Sequence, residues 1–135
     1  MSGKEMKYLV DTNSIIDAQI GIIPEEGLQF LGNVINENFT ISFITYIEVL
    51  GYKNVSQTTQ DFMELANVIE IDKAIINTCI ALRKRKKIKL PDAIIAATAL
   101  TNNLTLISRN TKDFEDITGL ACINPYELKI VQNLC

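Results

Sequence analysis

The chain contains no histidine, and that absence excludes more chemistry than any residue present suggests. A Ser-His-Asp triad, a Cys-His pair and a histidine general base are all ruled out. A zinc site loses its usual nitrogen ligands. Cysteine is scarce as well: Cys79, Cys122 and Cys135 are far apart and odd in number. They form neither a metal-ligand spacing nor a disulfide framework, which suits a reducing compartment. No apolar run approaches the ~20 residues that a bilayer span requires. The opening MSGKEMKYLV lacks a signal-peptide core. The expectation is a cytoplasmic protein with no membrane segment. Any catalysis must rest on carboxylates, with a hard, oxygen-seeking metal as the natural companion.

What is present is enough for one ordinary domain spanning 1–135, with 47% hydrophobic residues to fill a core. The organising stretch is KYLVDTNSIID, Lys7 to Asp17. Strand formers at Tyr8-Leu9-Val10 end on Asp11, and a helical pattern begins after Ser14. Further strands are expected at Phe39–Phe43, Asn67–Ile71, Leu104–Ser108 and Ala121–Ile123. Helices are expected over Glu25–Glu37, from Thr45 to Leu50, over Thr58–Ala66 with Phe62 and Leu65 inward, over Lys73–Lys87 capped by Asp72, from Pro91, and from Pro125 through Val131. Strands alternating with helices predict a three-layer α/β/α sandwich around a parallel sheet of about five strands.

Four acids fall where a strand hands over to a helix or a helix begins: Asp11, Glu48, Asp92 and Asp113. Each has a plain structural explanation. Asp11 suits a turn cap, Thr45 and Glu48 fit a capping box, and Asp92 complements a helix dipole. Asn110 and Asp113 have N-cap spacing. The strand ends of a parallel sheet share one edge, however, and ligands bind there. Carboxylates gathered at that edge repel one another unless a cation accompanies them. Magnesium or manganese takes such oxygen ligands and can activate water or clamp a phosphate.

The motifs YLVDTNSIID, ISFITYIEVLG, KLPDAIIAATAL and LISRNTKDFEDI, in that order and spacing, make the chain resemble PIN-domain ribonucleases. The similarity covers nearly the whole chain and is greatest to the VapC-type toxins of toxin–antitoxin pairs. It implies a PIN-like fold, a magnesium site that hydrolyses RNA (manganese substituting), a homodimer and a partner antitoxin. Matched motif by motif, Asp11, Glu48 and Asp92 are the central acids and Asp113 the fourth. Asn110 stands where some relatives carry aspartate. Thr12, Asn13 and Ser108 are expected to orient the acids by hydrogen bonds. Similar domains also serve in RNA processing without a toxin role.

Six of the thirteen basic residues form one run, Arg83, Lys84, Arg85, Lys86, Lys87 and Lys89. They read either as a solvated helix end or as a phosphate-binding patch leading to Asp92, although the net charge of −3 argues against bulk nucleic-acid binding. Two other enzyme classes fit worse. A haloacid-dehalogenase-type phosphatase needs a second acid where Asn13 stands. A phosphoacceptor receiver needs an acidic pair after the first strand and a lysine after the last. A stronger rival is a binding module that holds an RNA or protein partner without cutting; the intact acid set argues against it, because a mere binder of polyanions gains nothing from clustered carboxylates.

Overall fold

A computed structural model describes residues 7–128. Five short parallel strands alternate with seven helices. They are β1 (Tyr8–Val10), α1 (Thr12–Gln19), α2 (Glu25–Asn38), β2 (Thr40–Ser42), α3 (Phe43–Leu50), α4 (Gln57–Met63), β3 (Asn67–Ile69), α5 (Lys73–Arg85), α6 (Leu90–Thr101), β4 (Thr105–Ile107), α7 (Thr111–Phe114) and β5 (Cys122–Ile123). The strands form two ladders rather than one: β1-β4-β5, and β2-β3. β1 and β2 run side by side where the ladders meet.

Alternation along the strands creates the layers, because successive side chains leave opposite faces. Leu9 and Leu106 join Ile75, Cys79, Leu82 and the alanine-rich face of α6 in one core. Val10 and Ile107 join Ile15, Leu31, Ile41, Val49 and Met63 in the other. The result is an α/β/α sandwich with a parallel centre. As expected, α6 is buried nearly all round, at Ala93, Ile95, Ala96, Ala97, Thr98 and Ala99. Among the described residues no helix is long and apolar enough to cross a membrane.

Two glycines are needed where they stand. Gly21, with φ +76°, turns the chain after α1 in a conformation that side chains resist. Gly27 on α2 lies so close to the Pro125 carbonyl that an added Cβ would sit 1.8 Å from its oxygen.

Several expected boundaries move. Phe43 begins a helix instead of ending a strand, because Ser42 Oγ accepts a bond from the Ile44 amide and caps α3 there. Thr45 is therefore inside the helix and opens nothing, which removes the capping-box role for Glu48. α4 ends at Met63, so Leu65 lies outside the helix and is 75% exposed rather than buried. Pro91 is the second residue of α6, not the first. Pro125 to Glu127 form a turn where a helix was expected, and the rest of that helix lies outside the described residues.

Candidate active site

β1 delivers Asp11 into the interior at the sheet's C-terminal edge, where it is 4% exposed. It caps α1, with Oδ1 accepting from the Thr12 amide at 2.7 Å. Oδ2 accepts from Ser108 Oγ at 2.7 Å and from Asn13 Nδ2 at 3.3 Å. Ser108 is the residue that follows β4, the strand paired with β1. Asp11 thus caps α1 and at the same time ties it to the segment after β4.

Glu48 lies in the middle of α3, and Thr12 Oγ1 donates to its Oε1 at 2.6 Å. The hydroxyl of Thr45, buried on the same helix, lies 3.0 Å from that of Thr12, whose one proton goes to Glu48. The helix therefore presents Glu48 to α1 through a threonine pair, not to its own N-terminus. Asp92 is the third residue of α6 and has no hydrogen-bond partner among the described residues. Asp11, Glu48 and Asp92 line a single cavity of about 450 Å³, together with Thr12, Asn13, Ile16, Asp17, Tyr52, Ile95 and Arg109.

Electrostatics agree with that geometry. Burial drives the Asp11 carboxyl up to about 6, against the Ser108 and Thr12 bonds that lower it, and Asp92 and Glu48 push it further up. Burial also raises Asp92, aided by Asp113 and Glu48 and opposed by Lys89. Asp11 therefore feels Asp92 and Glu48, and Asp92 feels Asp113 and Glu48. Asp113 stands apart from the other three, exposed on α7 and outside the cavity lining. Asn110 does not cap α7 with its side chain; its Nδ2 donates to Asp113 Oδ2 at 2.6 Å. That bond joins the two residues expected to act together and uses the asparagine's amide nitrogen, not its oxygen.

The basic run divides. Arg83, Lys84, Arg85, Lys87 and Lys89 are exposed. Lys86 turns back, donating to the Asp113 carbonyl oxygen at 2.7 Å and pairing with Asp116 at 2.6 Å. It fastens the end of α5 to the segment around α7, with two of its three N–H donors engaged.

Three residues at the cavity carried no role in the sequence reading: Asp17, Tyr52 and Arg109. Asp17 closes the first motif and Arg109 lies inside the fourth. Asp17 lies three residues after Ser14 on the buried face of α1, and a charge at that spacing was the available signal.

The donor set fits a hard cation in kind, being carboxylate oxygen with no histidine or thiolate. Among the described residues no three such side chains converge on one point. Magnesium tolerates this, since it usually keeps several waters and takes only one or two carboxylates directly.

A histidine-free carboxylate cavity at the edge of a parallel α/β/α sheet defines a class of acid-site α/β proteins. The PIN domain family model matches residues 8–120, and the chain belongs to that family. Ribonuclease VapC1 of Haemophilus influenzae is 32% identical, over 85% of this chain and 95% of that protein. A toxin–antitoxin complex from Klebsiella pneumoniae contains a chain of the same fold, with TM-score 0.74 and 38% identity over 90% of this chain and all of that one. VapBC-1 from nontypeable Haemophilus influenzae has a chain at TM-score 0.72 and 29% identity, covering 89% of this chain and 98% of that one.

Proposed function

We propose that this protein is an endoribonuclease that hydrolyses RNA phosphodiester bonds with a divalent cation, magnesium or manganese, and that it is the toxin of a toxin–antitoxin pair. The observation that carries the reading is that Asp11, Glu48 and Asp92, from three different parts of the chain, line one cavity. The similarity to a protein named as a ribonuclease and to chains in toxin–antitoxin complexes supports it. One or two of Asp11, Glu48 and Asp92 would hold the cation directly and the remainder through its waters, with Asp113 and Asn110 at its outer side. Bound there, such an ion lowers the pKa of a water and stabilises charge on the phosphate oxygens. Ser108 and Asn13 fix Asp11 with one oxygen committed to them, and Thr12 fixes Glu48. These bonds hold the acids in place without neutralising them, which keeps the site anionic and selective for a cation. Mapping RNA cleavage ends with purified protein, in magnesium and in chelator, tests the reading. Cleavage that persists in chelator would rule out the cation.

The exposed part of the basic run would position phosphates beside Asp92, since Lys89 immediately precedes α6. Neutralising Arg83, Lys84, Arg85, Lys87 and Lys89 is expected to weaken binding of all single-stranded RNAs alike. The slope of log affinity against log salt should fall by roughly 0.7 per lost contact. An unchanged slope identifies these residues as a solvated helix end.

Two protein partners complete the proposal. An antitoxin segment would lie in the apolar groove between α1, α2 and α4, lined by Ile15, Ala18, Leu28, Leu31, Ile35 and Phe62. A second copy would cover α3 and α5, where Ile47, Ile76 and Ile80 are exposed. The expected species is a homodimer, and light scattering that reports a monomer at micromolar concentration overturns that part.

A further inference from the structure

Asp17 is a buried carboxylate that the proposed cation chemistry does not use. It is 5% exposed, yet it lines the same cavity as Asp11, Glu48 and Asp92. Its Oδ2 accepts from Arg109 Nη1 at 2.8 Å and from the Tyr126 hydroxyl at 2.9 Å. Burying an acid is costly unless it is paired and hydrogen-bonded, and here both partners converge on one oxygen. Arg109 is held at a second point: its amide donates to Asn13 Oδ1 at 3.1 Å, while Asn13 Nδ2 reaches Asp11 Oδ2 at 3.3 Å. The position of Arg109 is therefore tied to that of Asp11 through one asparagine.

The guanidinium is anchored but not consumed. Arginine offers five N–H donors in a fixed planar fork, and Asp17 takes one of them. The side chain remains 52% exposed at the cavity mouth. Among the described residues lining this cavity, Arg109 is the only cation, facing Asp11, Asp17, Glu48 and Asp92. A polyanion approaching four carboxylates needs a positive group that cannot collapse onto the acids. A guanidinium already satisfied on one side by a buried acid meets that need, and its free edge matches a phosphate.

We propose that Arg109, held by Asp17 and Tyr126, is the residue that positions the substrate phosphate over the carboxylate cavity. The inference rests on the ribonuclease reading and names a group that reading does not require. Asp17 acts through Arg109 and is a positioning residue.

The test compares wild type, Arg109→Gln, Arg109→Lys and Asp17→Asn. Each is measured for cleavage of a single-stranded RNA oligonucleotide in magnesium, and for binding of the same oligonucleotide in chelator across a salt series. Arg109→Gln is expected to raise KM and weaken binding by about tenfold, the size of a lost charge-assisted contact. Its salt slope should fall by roughly 0.7. Arg109→Lys should keep the salt slope, since charge is retained, but not the full kcat, since the fork is lost. Asp17→Asn should lower kcat without raising KM, because the cavity loses a negative charge while Arg109 loses its anchor. If wild type cleaves RNA, and all three variants keep its KM, kcat and salt slope while melting lower, the pair is only a tie between α1 and the segment after β4. The inference is then overturned and the ribonuclease reading stands. A wild type that neither binds nor cleaves RNA overturns both. Arg109→Lys keeps the comparison valid should Arg109→Gln not fold.

Discussion

Asp11→Asn and Asp92→Asn are each expected to lose at least ~10²-fold in RNA cleavage, because each removes a negative donor from a cation that must activate water. Chelator should abolish the wild-type activity. Manganese should restore it, and zinc should do so poorly, since the site offers neither nitrogen nor thiolate. Asparagine keeps one oxygen that can accept the Ser108 hydroxyl bond, made at 2.7 Å in the native site, but its amide nitrogen cannot replace the oxygen that accepts from the Thr12 amide, so folding of Asp11→Asn is measured alongside its rate. Thr12→Val supplies the graded comparison. It deletes the hydroxyl that donates to Glu48 at 2.6 Å but leaves every acid in place. A loss of roughly 10-fold to 100-fold is expected for such a supporting contact. Rates measured under single-turnover conditions with circular-dichroism checks of folding decide the matter. Full activity in either aspartate variant removes that acid from the chemistry.

The second large effect concerns stability, and its sign depends on the cation. In chelator, Asp11 titrates near 6 when folded against an ordinary value of 3.8. Above about 6 both folded and unfolded chains carry the charge, and the folded state bears the full cost of burying it. Between about 6 and 3.8 the folded protein holds a proton that the unfolded chain releases. Stability therefore rises as pH falls through that window, by an amount on the order of 2 kcal/mol. Asp92 is raised for related reasons and acts in the same direction. Asp11→Asn should flatten this dependence. At neutral pH in chelator, Asp92→Asn should melt no lower than wild type, because relief of repulsion from Asp113 and Glu48 opposes a dipole loss of only ~0.3–1 kcal/mol. Millimolar magnesium should reverse the order, since wild type gains binding free energy and the variant gains less. Thermal melts at pH 5 and 7, with and without magnesium, report both effects. If Asp92→Asn melts lower in chelator and magnesium shifts neither protein, Asp92 is a dipole partner alone.

The same residues show how far sequence reached. Strand, turn and helix at Tyr8–Gln19 are local matters: β-formers, an acid that caps, then an apolar helical period. The Asp72 cap and the Ile75-Cys79-Leu82 face of α5 are equally local and lie where expected. The layered parallel fold followed from the alternation of such segments. Boundaries failed where two caps competed. Ser42 and Thr45 can each accept an amide bond, and β2 fixes which does so, because pairing with β3 carries strand geometry up to Ser42. Leu65 looked inward by periodicity, but the turn after Met63 releases it from the helix that would have aimed it at the core.

At the candidate site, sequence singled out Asp11, Glu48 and Asp92, which line one cavity, and the shared sheet edge gave a reason to expect them together. It could not say that Asp113 stands outside the cavity lining, that Lys86 pairs with Asp116, or that Asn110 is bonded to Asp113. Nor could it separate a cap from a ligand at Asp11, since the 2.7 Å bond to Thr12 and the cavity-facing position coexist. Arg109 and Asp17 lie 92 positions apart. No local pattern links such residues; only the register of β4 against β1 places the segment after β4 beside α1. Residue type and order determined the fold class and the acids. Long-range pairing alone decided which charges share a cavity, because Coulomb interaction depends on distance through space and not along the chain.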